Sequence, residues 1–289
     1  MEEIIQAQGG IFKELREWYK KYVNVPIISR FLKLFLRTTT DVLARVKKFS
    51  FPEKYDWDWK LEMLLGKYEA STTKLFKKNV KPGMVIIDIG AHVGYFTKLF
   101  SKLAGKNGKI YAFEADSENF SLLKENASSL KNAQIFNKII SDKTGFMPLF
   151  KINNCSGGHS IIENPGTYKT ADIPSITIDD FAAEKNIGSV DVIKMDIEGA
   201  EPLAFSGMGK TIEKSKNLKI LMEFNPKALE SGNVIPMEFL EECSRNFVFF
   251  QIADNGDLEK LDIKNVGTIR HYLGKNEFTN LFLVRKNEN

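Results

Sequence analysis

From Pro82 onward the chain alternates short apolar runs with amphipathic stretches. The runs at 84–89, 109–114, 134–140, 190–195 and 218–224 read as buried strands. The stretches 94–104, 117–130, 200–206 and 236–245 carry helical spacing. Alternation of this kind predicts an α/β domain, a mostly parallel sheet with helices on both faces. Segment 145–180 departs from it, with Gly157, Gly158, Pro165, Gly166 and Pro174 between apolar runs at 146–152 and 173–178. It reads as an inserted hairpin and loop over the strand ends. Further on, FVFFQIADNGDLEKL and TNLFLVRK read as two strands around a long connection.

The first 50 residues form a separate helical segment. Ile28, Phe31, Phe35, Val42 and Val46 fall roughly on one helical face, with Lys33, Arg37, Arg45, Lys47 and Lys48 on the others. Thr38-Thr39-Thr40-Asp41 is expected to break the segment into two helices. Two readings stand: a basic amphipathic surface for a membrane or partner, and a cap packed on the following domain. FPEKYDWDWKLEMLLG, 51–66, reads as an aromatic connector. The expected division is a helical extension, 1–60, and a single α/β domain, 61–289.

The densest chemistry lies in VIIDIGAHVGYFTKLF (Val85–Phe100) and IYAFEAD (Ile110–Asp116). They read as strand, glycine turn and helix, then a strand closing on an acid. This is one βαβ unit, which binds an adenosine-bearing cofactor at its strand ends, the acid taking the ribose hydroxyls. The dinucleotide fingerprint fails: Gly90 and Gly94 are present, but His92 and Tyr95 stand where two further glycines belong. His92 obstructs a pyrophosphate. S-adenosylmethionine carries adenine and ribose without phosphate, and its positive sulfonium suits a carboxylate such as Asp88. No G-x-x-x-x-G-K-[ST] occurs, which excludes a P-loop.

The ordered pieces GKYEASTTKLF, VIIDIGAHVGYFT, IYAFEAD, NKIISDKTG, SGGHSI, SITIDDF, VDVIKMDIEGAE, KILMEF and TNLFLV resemble the FkbM-type class I methyltransferases from about Gly66 to Arg285. The resemblance implies a Rossmann-like fold, a seven-stranded sheet with an antiparallel C-terminal strand pair. It implies S-adenosylmethionine as cofactor and a hydroxyl-bearing acceptor on a glycan, glycolipid or natural product. It implies a cofactor lining of Glu69, Asp88, Gly90, Ala91, His92, Gly94, Tyr95, Phe96, Glu114, Ala115, Ser141, Asp142 and Asp196, with Ser141-Asp142 receiving the adenine amine. The bottom-up alternatives are a turn-forming Asp142 and a helix start at Glu69. Two departures stand out: Ala115 replaces the proline many class I members carry, and His92 replaces a frequent asparagine.

Composition narrows the partners. Cys155 and Cys243 are the two cysteines and form no C-x-x-C pair, so neither a zinc site nor a disulfide framework is expected. The net charge is +4, and residues 1–54 hold 11 Lys/Arg against 6 Asp/Glu, a local +5. The near-neutral remainder argues against nucleic acid. With no basic-then-apolar leader after Met1-Glu2-Glu3 and no apolar run of about 18 residues, the expected location is cytoplasmic, with peripheral membrane contact through residues 1–50 as a variant.

Methyl transfer to a hydroxyl needs alignment and deprotonation. In VDVIKMDIEGAE, Lys194, Asp196 and Glu198 alternate to one side of a strand end, where three charges must be solvated, paired or coordinating. Asp196 is expected to face the reacting centre, Glu198 to bind or deprotonate the acceptor, and Lys194 to position an oxygen; the alternative is a structural Lys–carboxylate pair. Glu201 reads equally as a helix N-terminal acid. Glu223 is the second base candidate, because the corresponding strand of the resembled fold ends beside the acceptor. His159 is a loop histidine able to act near neutral pH. Lys227 after Asn225-Pro226 breaks the [N/D]-P-P-[Y/F] pattern of amino-methylating enzymes. No metal ligand set is assigned, and the oligomeric state is left open. The rivals are a nicotinamide-dependent Rossmann enzyme and a non-catalytic cofactor-binding module.

Overall fold

The computed structural model describes residues 26–53, 55–152, 157–163, 166–263 and 278–286, with backbone alone for 26–33 and 171. Its helices are α1 Pro26–Lys47, α2 Trp57–Leu65, α3 Ala70–Asn79, α4 Tyr95–Ala104, α5 Ser117–Ala127, α6 Ile178–Glu184, α7 Glu201–Ser206, α8 Gly209–Lys214, α9 Pro226–Ser231 and α10 Pro236–Ser244. Its strands are β1 Val85–Ile89, β2 Lys109–Phe113, β3 Ala133–Phe136, β4 Ile139–Ile140, β5 Gly145–Ile152, β6 Thr167–Ile176, β7 Val192–Met195, β8 Lys219–Phe224, β9 Phe247–Ile252, β10 Leu258–Lys260 and β11 Thr279–Arg285.

The main sheet runs β10-β9-β11-β8-β7-β1-β2-β3. β3, β2, β1, β7 and β8 are parallel, and β11 inserts antiparallel between β8 and β9. Both faces are covered. Ile87, Ile89, Ile193, Met195, Ile220 and Met222 pack into one core, while Ile86, Ile110, Val192, Leu221 and Phe282 pack into the other with Phe76, Phe96 and Phe100. Two buried faces are why these strands read as unbroken apolar runs. The short β10 adds an eighth strand at the edge, beyond the seven expected.

The run 134–140 divides in two. Asn137 turns its Nδ2 onto the carbonyls of Glu114 and Ala115, both at 2.9 Å. β3 therefore ends at Phe136, and Ile139–Ile140 pairs with β6 in a separate sheet, β4-β6-β5. Within that sheet β5 and β6 form the antiparallel hairpin expected near 145–180.

The expected break at Thr38–Asp41 does not occur, since α1 continues from Pro26 to Lys47. The hydroxyls of Thr38, Thr39 and Thr40 donate to the carbonyls of Leu34, Phe35 and Leu36 at 2.8, 2.8 and 2.7 Å. Bonding back to residue i−4 satisfies the hydroxyls inside the helix and removes their competition with it. Thr40 and Ala44 face the rest of the chain, and Asp41 meets Lys60 at 3.3 Å. Phe35, Val42 and Val46 point outward. The side chains of Ile28, Phe31 and Lys33 lie outside the described residues.

The connector 51–66 contains α2, which crosses the expected boundary at residue 60. Met63 and Tyr55 pack with Val93, Trp59 and Tyr68, so this segment sits directly on the turn after β1.

Candidate functional site

β1 lies between β2 and β7. The chain leaves β1 toward β2 and β3 and returns to β7 on the other side. Such a reversal opens a crevice at the carboxyl ends of the strands. Asp88 pairs in register with Lys194 there, and Ile89 with Met195. Gly90 follows at φ 74, and a Cβ on it would lie 1.9 Å from the Asp196 carbonyl oxygen. Only glycine lets the two strand ends meet this closely.

Glu114 ties the turn to the end of β2. Its Oε2 accepts from the His92 backbone N–H at 2.8 Å and its Oε1 from that of Asp116 at 2.9 Å. Burial raises its pKa from 4.5 to about 7, against the pull of those two hydrogen bonds. Ala115 follows, its carbonyl held by Asn137. Asp88 is fully buried beneath the turn and accepts from Thr97 Oγ1 at 2.6 Å. Burial raises its pKa while Lys194 opposes the rise. It ties β1 to α4 and is not among the pocket-lining residues.

The pocket above is lined by Met63, Tyr68, Glu69, Gly90, Ala91, His92, Val93, Tyr95, Phe96, Lys194 and Asp196. Eight of these were expected from sequence; Met63, Tyr68 and Val93 were not. Gly94 shapes the turn from behind, at φ 90 before α4. The Tyr68 ring lies 5.2 Å from Tyr95 and 6.2 Å from Phe96, and Tyr55 lies 5.7 Å from His92. The 55–68 stretch thus supplies a wall. Its signal was the helical spacing of Trp59 and Met63 within WDWKLEMLL, which reading the stretch as a connector overlooked.

Lys194 is buried, with Nζ 3.2 Å from Asp196 Oδ2 and 5.5 Å from the Phe96 ring centroid. Burial disfavours its charge, but Asp196, Asp88 and Glu69 outweigh burial and raise its pKa. Asp196, Glu198 and Glu223 can each offer one carboxylate oxygen, the three within 4.8 Å of one another. Burial, then Asp196, lifts Glu198 to about 7. The same causes, with Glu198, lift Glu223 well above the carboxylate range. Glu69 is likewise raised to about 7 by burial and Asp196, while Asn280 Nδ2 donates to its Oε2 at 3.3 Å. Glu69, His92 and Glu198 have φ of 41, 51 and 57, three of the six non-glycine residues with positive φ among those described. Strained backbone of this kind collects at functional sites.

Glu201 turns away from the pocket. Its two oxygens accept from the Ile197 and Gly199 N–H groups at 3.0 and 2.9 Å, bracing the turn that carries Glu198. Ser160 Oγ donates to the Glu198 carbonyl at 2.8 Å, pinning the inserted loop to the same turn. His159 beside it feels chiefly Asp116, Lys151 and Glu118 rather than the three-carboxylate group, and burial lowers its pKa. Ser141 is buried, with its backbone N–H on the Ile176 carbonyl, and its hydroxyl meets the exposed Asp142 at 3.0 Å. Neither Ser141 nor Asp142 lines the pocket.

These buried acids set a pH dependence. Burial raises Glu114 from 4.5 to about 7 and Glu201 from 4.5 to about 8. Between those values the folded chain holds protons that the unfolded chain has released, so stability falls as pH rises. The contribution is complete below 4.5 and lost by about 8. The ligand-free melting temperature should therefore decline across this window, and Glu201→Gln should flatten the decline. Differential scanning calorimetry against pH checks this, and a melting temperature that rises across the window contradicts it.

Without β10, the main sheet reads β3-β2-β1-β7-β8-β11-β9 with β11 antiparallel, which is the class I methyltransferase sheet, and its crevice holds the glycine turn with the Glu114 carboxylate bound to it. The chain belongs to the FkbM methyltransferase family: the family model for the methyltransferase FkbM domain matches residues 88–261. It is similar to the 2-O-methyltransferase NoeI of Sinorhizobium fredii, 26% identical over 170 residues, covering 53% of this chain and 68% of that protein. It is also similar to the 31-O-demethyl-FK506 methyltransferase FkbM of Streptomyces tacrolimicus, 24% identical over 159 residues, covering 45% of this chain and 61% of that protein. Among solved structures, the precorrin-6y C5,15-methyltransferase of Geobacter metallireducens aligns at 12% identity and a TM-score of 0.43, covering 83% of this chain and 95% of that one.

Proposed function

We propose that the protein is an S-adenosylmethionine-dependent O-methyltransferase acting on a hydroxyl of a glycan, glycolipid or related natural product. The observation that carries the reading is the placement of Asp196, Glu198 and Glu223 within 4.8 Å of one another beside the pocket. A carboxylate group of this kind takes a proton from a hydroxyl. The names of the two curated relatives, both O-methyltransferases, support the same reaction.

The residues present fit the cofactor. Glu114 offers two carboxylate oxygens at the end of β2, where ribose hydroxyls bind. The wall of Glu69, Asp196, Tyr68, Tyr95 and Phe96 suits a positive sulfonium and not a pyrophosphate. When bound, the cofactor would supply a methyl for the acceptor oxygen to attack, the O–C bond forming as the S–C bond breaks and the sulfonium leaves as a thioether. Lys194 holds Asp196 in one orientation through its 3.2 Å contact. Glu198, lifted to about 7, is the group to accept the acceptor's proton, whereas burial and the neighbouring acids favour the protonated form of Glu223. Ser141-Asp142 remain the adenine partner proposed from sequence, and Asn137, bound to the Glu114 and Ala115 carbonyls, braces the end of β2.

The test is transfer of isotopically labelled methyl to a panel of hydroxylated, aminated and thiol acceptors. Label is expected on the hydroxyl compounds, and Asp196→Asn is expected to lower turnover on the order of 10²–10⁴-fold. Labelling of amines alone would contradict the reading.

Peripheral membrane contact is proposed for α1. Residues 26–48 carry six Lys/Arg against one Asp. Phe35, Val42 and Val46 are 66%, 53% and 74% exposed on the outward side. Among the described residues no helix is long and apolar enough to cross a membrane. An outward apolar stripe on a basic helix suits the interface of an anionic bilayer. The full chain should sediment with vesicles containing anionic lipid, and the combined changes Phe35→Ser, Val42→Ser and Val46→Ser should reduce sedimentation. Equal sedimentation of both proteins would remove the proposal.

A further inference from the structure

Sequence assigned no metal ligands; Asp196 and Glu198 follow β7 and lie 25 or more residues from Glu223 on β8. The fold brings them together at the neighbouring carboxyl ends of β7 and β8. We propose that Asp196, Glu198 and Glu223 bind one hard divalent cation, of the Mg²⁺ or Mn²⁺ type, at the acceptor side of the pocket.

Geometry supports this first. Oxygen–cation bonds run at about 2.0–2.6 Å, so two oxygens on one ion lie up to about 5 Å apart. The three carboxylate oxygens already lie within 4.8 Å of one another. A small closure completes three ligand positions, leaving the others to water and an acceptor oxygen.

A second observation concerns Glu223 alone. Its Oε2 has no solvent contact and no hydrogen-bond partner. A shielded carboxylate oxygen without a donor leaves its desolvation uncompensated, and buried charges are commonly paired or coordinated to metal. Lys194 is already turned onto Asp196 Oδ2 at 3.2 Å and onto the Gly90 carbonyl at 3.5 Å.

The supports of the group are also rigid. Glu198 stands at φ 57 on a turn braced by Glu201 and by the Ser160 hydroxyl. Asn280 stands opposite Glu223 in the β8–β11 register. The donor set is all oxygen, which selects hard cations over zinc or copper. A cation there would polarise the acceptor hydroxyl and ease loss of its proton to solvent or a neighbouring carboxylate. That use rests on the methyl-transfer reading, whereas the binding itself does not.

The experiment is Mn²⁺ titration of the full chain, followed by electron paramagnetic resonance and by melting temperature. S-adenosylhomocysteine binding is measured on the same samples by calorimetry. The expected result is one Mn²⁺ per chain, a raised melting temperature and competition by Mg²⁺. Glu198→Gln and Glu223→Gln, close in shape to the native residues, should each weaken Mn²⁺ at least about 10-fold while homocysteine-compound binding is retained. Asp257→Asn, on the exposed surface, should leave Mn²⁺ binding unchanged. Mn²⁺ binding that survives both Glu substitutions would overturn the site. Absence of Mn²⁺ binding with intact S-adenosylhomocysteine binding would overturn the metal and leave the cofactor reading standing. Absence of both would overturn the two together.

Discussion

Gly90→Ala should produce the largest loss among single substitutions. The added Cβ would meet the backbone oxygen of Asp196 at 1.9 Å, where no flexible side chain can move aside. The φ of 74 adds the left-handed penalty that any L side chain carries. That penalty, about 1–2 kcal/mol, joins an overpacking cost of about 1–3 kcal/mol at a strand junction. The sum, roughly 2–5 kcal/mol, corresponds to a fall of about 10 °C in melting temperature for a domain of this size. The displacement acts on Asp196 itself, so cofactor binding and turnover should fall with stability. Calorimetric melting of the two proteins tests this, and an unchanged melting temperature would mean that β1 and β7 do not meet as described.

Glu114→Ala should have the second largest effect, chiefly on the cofactor. Its carboxylate serves two backbone N–H groups, those of His92 and Asp116, which leaves lone pairs for the ribose hydroxyls proposed above. Hydrogen bonds to a charged group contribute about 1.5–3 kcal/mol, so the affinity for S-adenosylhomocysteine should drop roughly 10- to 100-fold. The two orphaned N–H groups should also cost stability. Glu114→Gln keeps one acceptor oxygen and should fall between the native protein and the alanine variant. Equal affinity in all three proteins would remove Glu114 from the cofactor's contacts.

Much of the fold was legible because the parallel strands are buried on both faces and announce themselves as apolar runs. The glycine turn was legible for a related reason: Gly90 and Gly94 sit where backbone geometry admits little else. The lengths of elements were less legible where polar side chains act at a distance. Asn137 ends β3 by reaching the carbonyls of Glu114 and Ala115, which nothing local to Asn137 reveals. The three threonines of α1 look like helix breakers until their hydroxyls are seen to bond within the helix.

For the site, residues next to a strand end could be named from sequence, as with Asp196 and Lys194. For the pocket wall from Met63 and Tyr68 the sequence signals only the helix, since the wall itself depends on how an N-terminal segment folds back over Val93 and Tyr95. Grouping Glu223 with Asp196 and Glu198 depends likewise on β8 lying beside β7. Ser141 and Asp142 follow β4, which the split of 134–140 places in the second sheet, and that pairing too is invisible in the local sequence.

The most direct test of the central claim is isothermal titration of the purified protein with S-adenosylhomocysteine, with NAD as the comparison ligand and Glu114→Ala as the comparison protein. The account predicts one site for S-adenosylhomocysteine, weakened in Glu114→Ala, and no heat from NAD. Binding of NAD instead, or of neither ligand, would contradict the reading of the β1–β2 crevice and the methyl-transfer chemistry built on it.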